Sequence, residues 1–270
     1  MNRMLVAACL ALGLFPSLAP AVDIKNIRPC YAPFGATRYD LNLLPGDVLF
    51  ITYDLEGLMT DAKSGKTNYE TTLELIDDPS QKTPKVLYKK VTPNEVVPQL
   101  GGGRMPGDLH VIMGAAQAAG KYGVRLTVHD KLAKEAKSFT YPFTVVPQTF
   151  GFVGVSAPAM GFPGQHYVTG FGVVNLAMDA KKQPNVEITI KILDEKNKEV
   201  APAVKIELPR DMPEGINLVE ANFVPLQYPI YLNRPGRFTI DIQAHDKYGN
   251  KKTELRYQVT VLDVNSFVGR

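Results

Sequence analysis

The chain contains much of its own sequence twice, and this constrains its fold more than any other feature. Ala119-Gly120-Lys121-Tyr122-Gly123-Val124-Arg125-Leu126-Thr127-Val128-His129-Asp130-Lys131 aligns without a gap to Pro235-Gly236-Arg237-Phe238-Thr239-Ile240-Asp241-Ile242-Gln243-Ala244-His245-Asp246-Lys247. The same offset carries Tyr141-Pro142-Phe143-Thr144-Val145 onto Tyr257-Gln258-Val259-Thr260-Val261. Upstream, Pro45-Gly46 answers Pro163-Gly164, and Met59 to Lys63 answers Ala177 to Lys181. Glu70 to Asp77 answers Glu187 to Asp194. The matches keep one order in both halves, which reads as a tandem duplication.

Within each copy the period is two. Tyr122, Val124, Leu126 and Val128 fall on one face, and Arg125, Thr127 and His129 on the other. Phe238, Ile240, Ile242 and Ala244 alternate in the same way with Thr239, Asp241, Gln243 and His245. Such alternation marks half-buried strands. A polar turn and a second alternating run follow in each copy, so each ends in a hairpin. Further strands are predicted at 48–53, 70–76, 86–90 and 109–114, and then at 152–156, 167–175, 186–193, 204–208 and 223–232. No window holds a helical period. About seven short strands in about 120 residues is the pattern of a β-sandwich. Pro142 lacks an N–H for a ladder, which predicts an edge or a bulge for the last strand of the first copy.

The start of the chain reads as a secretory signal. Arg3 supplies a positive charge, 4–14 is apolar, Pro16 breaks any helix, and Ala19-Pro20-Ala21 offers a small-x-small cleavage site. Cleavage after Ala21 avoids a proline behind the cut and makes Val22 the first mature residue. The apolar run is too short to span a bilayer comfortably, so no transmembrane segment is expected in the mature chain. Cys9 and Cys30 are the two cysteines. Removal of the signal leaves Cys30 alone, as a small buried side chain without a disulfide partner. The chain has no tryptophan, and with no internal disulfide an antibody-type domain is excluded. The net charge is +3 and the charges are scattered, so no nucleic-acid partner is expected.

The run Gly-x-aromatic-x-apolar-x-apolar-x-apolar-x-Asp, clearest from Gly236 to Asp246 and completed by the strand ending at Val261, resembles the last hairpin of bacterial immunoglobulin-like modules. The mature chain is similar over nearly its full length to a group of uncharacterised exported bacterial proteins with paired modules. That resemblance implies fold and carries no activity. The expected organisation is a signal peptide at 1–21, immunoglobulin-like β-sandwiches at 22–147 and 148–263, and a tail at 264–270. The junction, Val145 to Phe152, is short and apolar, unlike a flexible linker. It predicts a limited range of angles between the halves.

Chemistry is sparse. Gly65-Lys66-Thr67 ends like a phosphate-binding loop but has Thr60 where the first glycine belongs, and no helix follows. Gly101-Gly102-Gly103 has neither flanking strand nor helix to make a nucleotide fingerprint. Gly154-Val155-Ser156-Ala157-Pro158 lacks the second glycine of a nucleophile elbow. Asp77 and Asp78 point to opposite faces of a strand. The four histidines, His110, His129, His166 and His245, show no metal-ligand spacing. His129-Asp130 and His245-Asp246 alone recur as charged pairs in both copies. They are candidate ligand residues at one end of each sandwich, set against aspartates that cap turns through backbone N–H groups. No catalytic residue, cofactor or metal is expected. The expectation is an exported, non-enzymatic binding or structural module, periplasmic or extracellular. Its partner would be a protein or an envelope polymer. The alternatives are a periplasmic chaperone with two immunoglobulin-like domains and an accessory module of a hydrolytic enzyme.

Overall fold

The computed structural model describes residues 21–211 and 223–263. Residues 1–20, which hold nearly all of the signal peptide expected at 1–21, and the tail expected at 264–270 lie outside these. The described chain is all β. Its strands are β1 (Asp23–Cys30), β2 (Asn42–Leu43), β3 (Val48–Glu56), β4 (Thr67–Asp77), β5 (Val86–Val96), β6 (Arg104–Ile112), β7 (Gly120–Asp130) and β8 (Glu135–Val145). Then follow β9 (Gly151–Ser156), β10 (Met160–Gly161), β11 (His166–Val174), β12 (Val186–Leu193), β13 (Val204–Leu208), β14 (Phe223–Tyr231), β15 (Gly236–Asp246) and β16 (Lys251–Val261).

The first half pairs a three-stranded sheet, β1-β3-β6, with a five-stranded sheet, β2-β8-β7-β4-β5. The second half repeats this order strand for strand, as β9-β11-β14 and β10-β16-β15-β12-β13. Among the described residues each half therefore has eight strands rather than about seven. The additional β2 and β10 are two-residue strands that run parallel to the ends of β8 and β16.

Alternation builds the cores. Val124 and Leu126 of β7 are buried with Phe143 of β8, and Tyr141 packs beside them partly buried. Ile240, Ile242, Tyr257 and Val259 are buried at the matching places. The outward face departs from expectation at Asp241, which is 2% exposed. Arg256, its neighbour across the hairpin, covers it, donating from Nε at 3.1 Å and Nη2 at 2.6 Å to one carboxylate oxygen. Glu74 is buried in the same manner under Arg125 on the first half's outward face. A charge can lie in a sheet face when a long guanidinium stem roofs it and satisfies it.

Pro142 sits where predicted. Thr144 and Val146 donate their N–H groups outward to Leu41 and Leu43, and residue 142 shares their parity. Beyond Asn42 there is no β2 to pair with, so the missing donor of Pro142 falls on a free edge.

The halves are not simply strung together. The loop between β1 and β2 leaves the first sandwich, and Tyr31 and Ala36 join the core of the second. Ala36 donates its N–H to Ala157 O at 3.0 Å. Gly35 makes this approach possible, because a Cβ there would stand 2.6 Å from Ala157 O. The stretch 22–147 is therefore not a self-contained packing unit. Cys30, ahead of this loop, is fully buried with its Sγ 3.3 Å from Thr52 Oγ1.

Candidate functional site

The repeated His-Asp pairs end β7 and β15. Adjacent strand residues face opposite ways, and the two members of each pair are separated accordingly. Asp130 is fully buried, and its carboxylate accepts three backbone N–H groups, from Leu132, Ala133 and Met59. Asp246 does the same with Tyr248, Gly249 and Ala177. Each aspartate thus shapes its hairpin turn and pins the loop that follows β3 or β11 to it. His129 is half-buried on the other face, 3.4 Å from Lys131 Nζ. His245 lines a shallow polar depression of about 550 Å³ with Glu187, Thr189, Gln243, Lys252 and Glu254. The structure does not bring His and Asp of either pair to a common site.

The motifs set aside from sequence occupy turns and strands. Gly65 has φ +68° in the turn before β4, and Thr67 opens that strand rather than a helix. Among the described residues, no group of three or more His, Cys, Asp or Glu is placed to hold a metal ion.

Between the halves lies a cleft of about 480 Å³, bordered by Arg38, Tyr39, Asp40, Glu254 and Arg256. Its cations are balanced by its carboxylates. Arg38 is itself consumed by Asp47 at 2.6 Å, and Arg256 by Asp241.

A second concavity has no counterpart in the sequence reading. Between β4 and β5 of one sheet and β3 and β6 of the other, the first sandwich has a groove of about 410 Å³. Leu73, Leu109 and Leu126 form its floor. Tyr53, Tyr69 and Tyr88 stand in its walls with Thr71, Lys90, Thr92, Asn94, Asp108 and His110. Tyr53 crosses to Gly107, its partner on β6. Its ring occupies the space of a Cβ there, which would lie 2.5 Å from Cε2. Burial raises the Tyr53 hydroxyl above its ordinary pKa, and the neighbouring Tyr69 and Asp108 add to this. Asn94 donates to Thr92 O at 3.0 Å and to Thr71 Oγ1 at 3.4 Å.

The second half shows what this region looks like when closed. Strand register equates Thr71 with Ile188, Leu73 with Ile190, Thr92 with Ile206 and Asn94 with Leu208. It also equates Gly107 with Leu226. Ile188, Leu208 and Leu226 are buried and Ile206 packs against the same core. At Thr71, Thr92 and Asn94 the first half is polar where the second is aliphatic and filled, and at Gly107 the Tyr53 ring takes the place of the second half's leucine.

No family model matches the chain, and no curated protein matches it. Among solved structures, it is similar to a superoxide reductase (neelaredoxin) from Ignicoccus hospitalis, with 13% identity and a TM-score of 0.29, over 40% of this chain and 77% of that one. A family 123 glycoside hydrolase from Clostridium perfringens matches with 12% identity and a TM-score of 0.27, over 39% of this chain and 23% of that one. Dimeric latent PorU from Porphyromonas gingivalis matches with 10% identity and a TM-score of 0.37, over 93% of this chain and 21% of its own. These likenesses carry no activity to this chain.

Proposed function

We propose that this chain is an exported, non-enzymatic binding module of the cell envelope or extracellular space, made of two immunoglobulin-like β-sandwiches derived by tandem duplication. The observation that carries this reading is the groove over Leu73 and Leu126, held open by side chains whose counterparts in the second half fill a core. A sandwich gains nothing in stability by placing Thr71, Thr92 and Asn94 where aliphatic residues would fit. Such departures from good packing are expected at functional positions. The buried carboxylates described above are each engaged by backbone N–H groups or a guanidinium, which suits a scaffold rather than acid–base chemistry. No helix among the described residues is long and apolar enough to cross a membrane. A basic cleft between the halves would favour the periplasmic chaperone alternative, and the cleft is instead charge-balanced.

Two measurements test the reading. Protein recovered outside the cytoplasm should have an intact mass that begins at Val22, and retention of Met1 would overturn the export assignment. Purified full-length mature chain should co-sediment with an isolated envelope fraction and leave that material chemically unchanged. Release of soluble fragments would make it an enzyme, and failure to sediment would remove the envelope as its target.

A further inference from the structure

We infer that the groove of the first sandwich binds a neutral oligosaccharide chain. This rests on the binding-module reading and adds its ligand class. The wall residues have unspent hydrogen-bonding capacity. Among the described residues, the side chains of Tyr53, Tyr69, Tyr88, Asp108 and His110 make no hydrogen bond or ion pair with another group. Tyr53 is only 7% exposed, so its hydroxyl has the groove itself as its outlet. The groove therefore sets the exposed ring of Tyr88 and the partly buried ring of Tyr69 among hydroxyl, amide, carboxylate and imidazole groups, with Tyr53 buried beneath them.

That combination selects among ligands. A tyrosine offers an apolar face and a polar tip at small entropic cost. A pyranose has the complementary shape, with C–H groups on its faces and hydroxyls around its edge. Lys90 and Asp108 offset one another in the lining, so a strongly anionic or cationic chain has no net charge to meet. A volume of about 410 Å³ lies within the usual range for small-molecule sites. An extended peptide added to a sheet edge is a poorer fit. The two strands flanking the groove carry Pro93 and Pro106, and proline protects an edge from strand addition. The lining is made of side chains from inner faces, whereas strand addition uses main-chain edges.

The test is isothermal titration of the full mature chain with neutral soluble oligosaccharides from chitin, cellulose and xylan. At least one should bind, and Tyr88→Ala should weaken it by about tenfold or more, equivalent to about 1.4 kcal/mol. Tyr88 is 51% exposed, so this variant should fold normally. Tyr231→Ala, on the second sandwich and 69% exposed, should bind as the unaltered chain does. A triple variant, Thr71→Ile with Thr92→Ile and Asn94→Leu, copies the closed half. It should lose binding while its thermal midpoint holds or rises. If the triple variant does not fold, Tyr88→Ala decides alone. The proposal is overturned if none of the sugars binds, or if Tyr88→Ala leaves affinity unchanged. Envelope co-sedimentation without sugar binding would remove this ligand and keep the module reading. Loss of both would remove the two together.

Discussion

Asp47 of the first sandwich joins Arg38 to the second. One carboxylate oxygen meets Arg38 Nη2 at 2.6 Å, and the other accepts the Gly154 N–H at 3.0 Å. Both side chains of the pair are nearly enclosed, at 7% and 2% exposure. Removing one partner of a buried pair leaves the other charge uncompensated. Asp47→Ala is expected to cost about 3–5 kcal/mol in denaturant unfolding. The loss should also free the halves, so small-angle scattering should show a broader distribution of shapes than for the unaltered chain.

The His-Asp pairs separate into two roles by burial. Asp246→Ala leaves three backbone donors without their acceptor and is expected to cost about 1–3 kcal/mol. Asp130→Ala should behave alike. His129→Ala and His245→Ala should move stability by less than about 0.5 kcal/mol. Chemical denaturation of the four variants checks this, and equal losses in histidine and aspartate variants would contradict the geometry.

The two faces of the hairpins should respond unequally. Leu126→Ala and Ile242→Ala remove fully buried side chains, at 2% and 0% exposure, and should cost about 2–5 kcal/mol each. Thr127→Ala, whose hydroxyl meets Ser138 on an exposed face, should cost under about 0.5 kcal/mol. Urea midpoints at constant slope are the readout.

Acid stability should depend on Glu74. Burial by itself raises this carboxyl, but the Arg125 hydrogen bond and charge, with Lys89, outweigh it and hold the group below its ordinary 4.5. A folded-state value below the unfolded one stabilises the protein above the ordinary carboxylate range. That contribution is lost as pH falls through the depressed folded value. Arg125→Ala removes the main opposing influence and leaves burial. The variant should therefore be less stable than the unaltered chain near neutral pH, and the deficit should shrink as pH falls and Glu74 takes up a proton, as unfolding curves across the acid range would show.

Much of the architecture is legible in the sequence because core strands alternate. β7, β8, β15 and β16 have one apolar and one polar face, and their partners follow from the repeat. β1 escapes a sequence reading because it is irregular: Asn26 has φ +51°, and the register with β3 shifts between Lys25 and Arg28. β2 and β10 are too short to show any period. The sequence reveals β5 only to residue 90, since its continuation through Thr92, Pro93 and Asn94 has no apolar face to count. It places β6 late, at 109–114, because that strand opens with Met105-Pro106-Gly107, which reads as a turn.

The groove is hidden for the same reason that the end of β5 is. Polar inner positions look like loop when strands are sought by their apolar face. One signal is within reach. The alignment of Glu70–Asp77 with Glu187–Asp194 sets Thr71 against Ile188, a polar residue in a core column. Only the register of β5 and β6 adds Thr92, Asn94 and Gly107 and turns a single oddity into a site. The burial of Asp241 is equally invisible, because the guanidinium that roofs it comes from the following strand.

The loop carrying Tyr31 and Ala36 also sets an order of events. Synthesis delivers the first half of the chain well before the second, and domains generally fold as they emerge. The first sandwich can close its own sheets early, but Tyr31 has no Tyr257 ring to meet, 6.4 Å away in the finished molecule, until the last hairpin arrives. The earliest part of the chain to appear is thus completed by the latest.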